Sequence, residues 1–290
     1  MTAPTLPQID RFKLGSFQFT VIRDGATVLE NPWEIFGVNQ SPETVKARLA
    51  ENFLPTDRFI NSYAPVIIET GSEVILVDTG FGAAGHERGA GRLLSGMKAA
   101  GYAPERVTLV LLTHLHGDHI GGLIEDGVPA FPNARYATGE IEYAFWTDKA
   151  REGTPAEGGH KFVLSNVVPF ADRMTLLKDG DQPVEGFTAM LIPGHTPGMM
   201  AFRVRSGDAQ MMLIGDACNH YILSLEEPEW QVRFDMDKEQ AGRTRRQLFE
   251  TIAAERIPFL GFHMPFPAVG FVVKRGDGFR YVPKTYQFEL

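Results

Sequence analysis

Apolar and polar positions alternate through residues 12–30, and Arg23-Asp24-Gly25 supplies turn chemistry, so this stretch reads as a hairpin. The rhythm then breaks. Residues 31–63 hold NPWEIFG followed by SPETVKARLAENF, where Ser41 or Pro42 opens a short amphipathic helix. This irregular segment is a candidate substrate-covering loop. PVIIET and EVILVDTG then form two apolar strands joined by Gly71-Ser72. GRLLSGMKAAGY predicts a helix ending at Gly101, and VTLVLLTH is a fully apolar strand that runs into polar residues. Further strands are expected at RYATG, MTLLKDG, FTAMLIPG, MAFRVRSG, QMMLIGD and IPFLGFH. A helix over about 237–256 is opened by Asp235 or Asp237. Strands alternate with helices and hairpins recur, which predicts an α/β fold, a layered sandwich with mixed sheets.

Composition narrows the function. The chain of 290 residues is 43% hydrophobic and 22% charged, which supports a large buried core and excludes intrinsic disorder. Its net charge of −8 repels polyphosphate, so no nucleic-acid partner is expected. No run approaches the roughly 18 apolar residues of a membrane span. The start MTAPTLPQIDRFKLGSF lacks a basic region followed by an apolar one, so no secretory leader is read and the cytoplasm is expected. The single cysteine, Cys218, forms no intrachain disulfide and reads as a buried structural thiol.

The chemistry concentrates in Thr113-His114-Leu115-His116-Gly117-Asp118-His119, directly after an apolar strand, where α/β sheets place ligands. Imidazole suits zinc and iron, and carboxylate suits harder ions or a shared proton. Residues two apart in an extended segment point the same way, so His114 and His116 can grip one ion while Asp118 and His119 face a second. Three more positions each follow an apolar strand: His195 in LIPGHTPG, Asp216 in MMLIGDA and His263 in FLGFHMP. Together these supply five histidines and two aspartates. That is enough for two metals, with His114, His116 and His195 on one, Asp118, His119 and His263 on the other, and Asp216 bridging.

HLHGDH, then GHTPG, GD and a late histidine resemble the metallo-β-lactamase superfamily, and the resemblance spans the chain after about residue 60. It implies an αββα sandwich, two divalent ions (zinc first, with iron, manganese or cobalt as alternatives) and a supporting role for Asp78 of LVDTG behind the metal loop. Within the superfamily the sequence is similar to methyl parathion hydrolase-like enzymes in FKLGSFQFTVIRDG, MKAAGYAPERV, FPNARYA and FPAVGFVVKRGDGFRYVP, and more distantly to N-acyl homoserine lactonases. Residues 1–290 are therefore expected to form one domain, with 1–63 as a hairpin and loop extension packed on it. The resemblance also implies a homodimer.

The expected reaction is hydrolysis of an ester-type bond in a small hydrophobic carboxylic ester, lactone or phosphotriester. The attacking hydroxide lies between the two ions. Asp216 holds their spacing, and Asp118 orients the hydroxide or carries a proton to the leaving group. A thioester hydrolase or a sulfur or redox enzyme of the same fold (glyoxalase II or persulfide dioxygenase type) is the alternative. Di-iron flavoproteins would carry Glu where His116 stands, and a nuclease would need a basic face. The expected substrate pocket draws on Trp33, Phe36, Phe81, Trp146, His220 and Met264, with Phe145, Tyr221 and Phe266 nearby. Trp146 matches an aromatic position of the resembled enzymes. The stretch after Asp216 departs from them, and its His220 is open to three roles: donating a proton, binding an acidic substrate, or bonding to backbone.

Overall fold

A computed structural model describes residues 9–287. Strands β1 (Ile9–Leu14) and β2 (Phe17–Ile22) pair antiparallel, and β3 (Gly25–Glu30) leaves the sheet to pair with β4 (Arg58–Tyr63) beyond helix α1 (Pro42–Glu51). The early hairpin thus turns at Gly15-Ser16 rather than at Arg23-Asp24-Gly25. The physical reason is Asp24. Its buried carboxylate accepts the backbone N–H groups of Phe81, Gly91 and Leu93 at 2.9–3.1 Å, so it is a tether between loops, not a turn residue. Ser41 caps α1, accepting from the Thr44 N–H at 3.2 Å.

β5 (Val66–Glu69) and β6 (Val74–Val77) follow as the expected hairpin, then α2 (Leu93–Ala99), β7 (Leu109–Leu111) and the single turn α3 (Gly117–Ile120). β8 (Ile124–Glu125) and β9 (Val128–Pro129) make a small ribbon ahead of β10 (Arg135–Gly139), α4 (Glu140–Thr147), α5 (Glu157–Asn166) and β11 (Met174–Leu177). The second half runs β12 (Phe187–Leu191), β13 (Met200–Ser206), β14 (Ala209–Leu213), α6 (Lys238–Glu255), β15 (Phe259–Leu260), β16 (Val269–Arg275) and β17 (Gly278–Pro283). Of the two candidate caps for α6, Asp237 is the one used, accepting from the Gln240 N–H at 2.9 Å.

The strands form a seven-stranded mixed sheet, β1-β2-β5-β6-β7-β10-β11, and a six-stranded mixed sheet, β12-β13-β14-β15-β16-β17. One core lies between them, joining Phe12, Phe19, Val66 and Leu111 of the first sheet to Phe187, Phe202, Met211 and Leu213 of the second. On the outer face of the first sheet, Ile67, Leu76 and Val110 pack with Leu93 and Met97 of α2 and Val163 of α5. Leu248, Phe249 and Ile252 of α6 cover the second sheet. Because β5, β6 and β7 are covered on both faces, their residues read as unbroken apolar runs, the layered αββα arrangement expected from sequence.

Helix α5 escapes sequence reading because Gly158-Gly159 weakens its helical signal. A Cβ at Gly159 would stand 2.5 Å from the Trp146 ring, so glycine is what lets α5 close on α4. Phe145 and Trp146 lie within α4. Among the described residues no helix is long and apolar enough to cross a membrane.

The inter-sheet core sets the spacing of the four strand-end loops that carry the polar site. Phe202→Ala removes a fully buried ring from it and is expected to cost about 3–5 kcal/mol of unfolding free energy, read from urea denaturation followed by tryptophan fluorescence.

Candidate metal centre

Each polar site residue emerges from the end of a buried strand. Leaving β7, the chain passes Leu112 and Thr113 into His114 and His116, and α3 then presents Asp118 and His119. β12 runs to Pro193-Gly194 and His195, β14 to Gly215 and Asp216, and β15 to Gly261 and His263. Gly215 has φ +47°, and a Cβ there would approach Thr113 to 3.0 Å, so the Asp216 loop sits hard against the loop that carries His114.

The seven residues converge as two groups of donor atoms, each within 4.8 Å: His114, His116 and His195 in one, Asp118, His119, Asp216 and His263 in the other. His116 Nδ1 is 3.1 Å from His114 Nε2 and 3.0 Å from His195 Nε2. Asp216 spans the groups. Its Oδ2 is 3.4 Å from His195 Nε2, 3.9 Å from His114 Nε2 and 3.0 Å from His263 Nε2, and its Oδ1 is 3.2 Å from His119 Nε2. Asp118 Oδ2 stands 3.5 Å from His263 Nε2 and 3.7 Å from His119 Nε2.

Surrounding acceptors fix the imidazole tautomers. Asp78 Oδ2 accepts from His119 Nδ1 at 2.8 Å, Asp235 Oδ1 from His195 Nδ1 at 2.9 Å, and the Ser62 carbonyl from His263 Nδ1 at 3.0 Å. The Thr113 hydroxyl donates to Asp78 Oδ2 at 2.9 Å and therefore accepts from His114 Nδ1 at 3.1 Å. With these four Nδ1–H groups directed outward, four Nε2 lone pairs point inward at each other, at Nδ1 of His116 and at a buried carboxylate. Lone pairs and an anion so arranged repel unless positive charge sits among them.

Titration behaviour agrees. Burial, reinforced by the neighbouring imidazoles, pushes His114 and His116 well below the ordinary histidine range, which leaves them neutral. Burial also works against charge on His119 and His263, but the Asp216 carboxylate, helped by Asp118, holds both above it. Burial works against the charged form of Asp216, but His263 and His119 hold its carboxyl well below the usual range. His119 Nε2 and Asp216 Oδ1 are buried and have no hydrogen-bond partner. Around a tetrahedral zinc with bonds of about 2.0–2.1 Å, neighbouring nitrogens stand about 3.3 Å apart, and the spacings at His116 are 3.0 and 3.1 Å. The residues present fit divalent metal.

Three supports hold this cluster, and sequence reasoning found one of them. Asp78, at φ +56°, has a backbone conformation that costs a non-glycine residue energy. Its carboxylate offsets this by accepting from the Thr113 N–H at 2.8 Å as well as from Thr113 Oγ1 and His119. Asp235 is held by the fully buried Arg245 of α6 at 2.9 Å, and Arg245 also donates to the carbonyls of Ala217 and Pro228. Glu142 of α4, fully buried, accepts from the Leu115 N–H between His114 and His116 and from the Gly198 N–H beyond His195, both at 3.0 Å. Neither Asp235 nor Glu142 carries a motif that marks it, so only the packed structure reveals them.

The site opens into a cavity of about 720 Å³. Phe36 and Phe81 line it as expected, joined by Val28, Leu29, Asn61 and Tyr63 of the β3–β4 ribbon and by Phe234. Trp146 does not line it. It is buried under His116, with ring centroids 5.7 Å apart, and donates to Glu142 Oε1 at 2.8 Å. Met264 is fully buried in the inter-sheet core. Trp33 packs beneath Lys46 of α1, whose ammonium is 3.9 Å from the ring. The irregular 31–63 segment therefore contributes to the cavity through β4 and Phe36, not through its tryptophan. His220 lines a neighbouring cavity. Its Nδ1 accepts from the Ile222 and Leu223 N–H groups at 3.1 Å, the backbone role among the three considered. Cys218 is fully buried, and burial pushes its thiol up to about 12, as suits a structural residue.

The profile of the metallo-beta-lactamase superfamily matches residues 56–254, and the chain belongs to that superfamily. Two solved structures superpose over 98% of this chain and 100% of their own. One is AidC, a dizinc quorum-quenching lactonase in complex with a product, at 25% identity and TM-score 0.91. The other is AbOPH, a hydrolase in the beta lactamase superfamily, at 26% and 0.90. Among curated relatives, the N-acyl homoserine lactonase AttM of Agrobacterium fabrum is 31% identical over 125 residues, 41% of this chain and 43% of the relative. The match thus spans less than half of that relative's length. These relatives with a named substrate are lactonases, and they do not single out the finer resemblance to methyl parathion hydrolase-like enzymes.

Asp235→Asn keeps the shape but removes the charge that orients His195 against Arg245. It is expected to weaken zinc affinity by about tenfold to a hundredfold, measured by competition with a chromophoric chelator.

Proposed function

We propose that the protein is a metal-dependent hydrolase acting on ester bonds, and that its substrate is a lactone with an apolar acyl portion. The observation that carries this is the Asp216-bridged pair of donor groups at the floor of a cavity with a mostly apolar wall. Similarity to AidC over nearly the whole chain supports the lactone. His114, His116 and His195 would hold one divalent ion, zinc first, and Asp118, His119 and His263 a second, with Asp216 shared. When bound, such ions supply Lewis acidity and make water acidic enough to ionise near neutral pH.

The chain's own residues do the rest. Asp216 fixes the separation of the two groups. Asp118 is the one carboxylate of the seven that is partly exposed, with its side chain 20% accessible, and it faces the cavity. It is the group placed to hand a proton to the departing alkoxide oxygen. Val28, Leu29, Phe36, Phe81 and Phe234 seat the acyl portion and exclude water. Tyr63 stays protonated, since burial pushes its phenol up to about 12, and its hydroxyl is 2.6 Å from Thr27 Oγ1 at the cavity edge. Apart from the metal-site residues, the only charged side chain among the described residues lining the cavity is the exposed Arg88, so a largely neutral substrate is favoured.

Steady-state rates across N-acyl lactones, aryl esters, thioesters and phosphotriesters test the reading. Lactones are expected to lead in kcat/KM by at least about tenfold, and faster turnover of a phosphotriester or thioester overturns it. Asp118→Asn is expected to lower kcat roughly a hundredfold or more with little change in KM.

A further inference from the structure

Five imidazoles converge on the candidate metal centre, and four of them are oriented from outside. Each of the four turns Nε2 inward and gives its Nδ1–H to an acceptor. His116 is the exception. Its Nδ1 faces inward, 3.1 Å from His114 Nε2 and 3.0 Å from His195 Nε2. An outside acceptor for Nδ1–H therefore cannot hold this ring. Nδ1 lies off the Cβ–Cγ axis, so rotation about that bond carries it out of the cluster. Its plane has to be set by packing.

The His116 backbone is fixed on both sides. The Leu115 N–H donates to Glu142 Oε1 at 3.0 Å, and the His116 carbonyl accepts from the His119 N–H at 3.0 Å. The His116 ring meets Trp146 of α4 edge to face, with centroids 5.7 Å apart and planes inclined by 69°. The indole N–H of Trp146 donates at 2.8 Å to the same Glu142 Oε1. One carboxylate oxygen thus holds both the backbone before His116 and the aromatic ring beside it. A tryptophan that only filled space could give its N–H to any nearby carbonyl. This one gives it to the acceptor that also fastens the metal-site loop.

Trp146 is itself locked from behind. Helix α5 sets Gly159 against it, where a Cβ would stand 2.5 Å from the indole ring. His160 Nδ1 donates to the Trp146 carbonyl at 2.7 Å. We propose that Trp146 is a positioning residue: its ring, referenced to Glu142 and backed by Gly159, sets the plane in which His116 offers Nδ1 to the ion shared with His114 and His195. Its influence on turnover passes through His116 rather than through the substrate. The inference rests on the metal-centre reading and is independent of which ester is cleaved.

Cobalt(II) titration of the metal-free protein, followed by visible absorption, tests it, because the ligand-field bands report the geometry of the bound ion without any substrate. Trp146→Leu is expected to weaken cobalt binding by about tenfold or more and to shift the bands. Trp146→Phe keeps an aromatic edge but lacks the indole N–H, and is expected to recover the wild-type bands with affinity within about threefold. Gly159→Ala touches neither His116 nor Glu142, yet pushes on the Trp146 ring. It is expected to shift the bands and weaken binding by about threefold or more, whereas a purely structural contact would lower the unfolding midpoint without moving the bands. Trp33→Leu, remote from the centre, is expected to change neither quantity. If Trp146→Leu does not fold, Gly159→Ala and Trp146→Phe decide. Unchanged bands and affinity in Trp146→Leu or Gly159→Ala, or a Trp146→Phe protein no nearer to wild type than Trp146→Leu, overturns the proposal. Wild-type protein that binds no cobalt sinks the metal centre itself, while normal binding indifferent to these variants sinks this inference alone.

Discussion

A carboxylate with almost no access to solvent, Asp216, sits where four imidazole lone pairs converge. Taking a carboxylate out of water is expensive, and surrounding it with further electron pairs makes it more so. The arrangement is stable only with positive charge inside it. Asp216 accordingly holds both His119 and His263 above the ordinary histidine range, and the donor spacing suits divalent metal.

The remaining architecture serves to keep the lone pairs facing inward. Asp78, Asp235, the Ser62 carbonyl and Thr113 take the outward N–H groups, and each is itself anchored by backbone or by Arg245. Glu142 fastens the two loops of the three-histidine group to α4. These anchors come from the ends of the seven-stranded sheet, the β3–β4 ribbon, the loop before α6 and two helices, so packing of these elements and geometry of the site are one problem. The β3–β4 ribbon, released from the main sheet at Asp24, supplies most of the new cavity wall.

The seven convergent residues were legible in the sequence because each follows an apolar run, and a buried strand must deliver its next polar residue to a sheet edge. Asp78 of LVDTG was marked by the resemblance to the superfamily. Asp235, Glu142 and Asp24 were not legible. None stands in a motif that marks it, and their partners include backbone groups and an arginine elsewhere in the chain. The pocket read poorly because aromatic identity does not fix direction. Trp146 and Met264 turned inward to pack, while Asn61 and Tyr63 gained their place from a ribbon that alternation alone could not separate from the main sheet. Helix α5 was hidden by the glycine that its contact with Trp146 requires.

Anomalous diffraction at the zinc edge from crystals of the zinc-loaded protein tests the central claim most directly. Two peaks are expected on either side of the Asp216 carboxylate, one among His114, His116 and His195 and one among Asp118, His119 and His263. A single peak, or density that leaves Asp216 outside the coordination of either ion, contradicts the account.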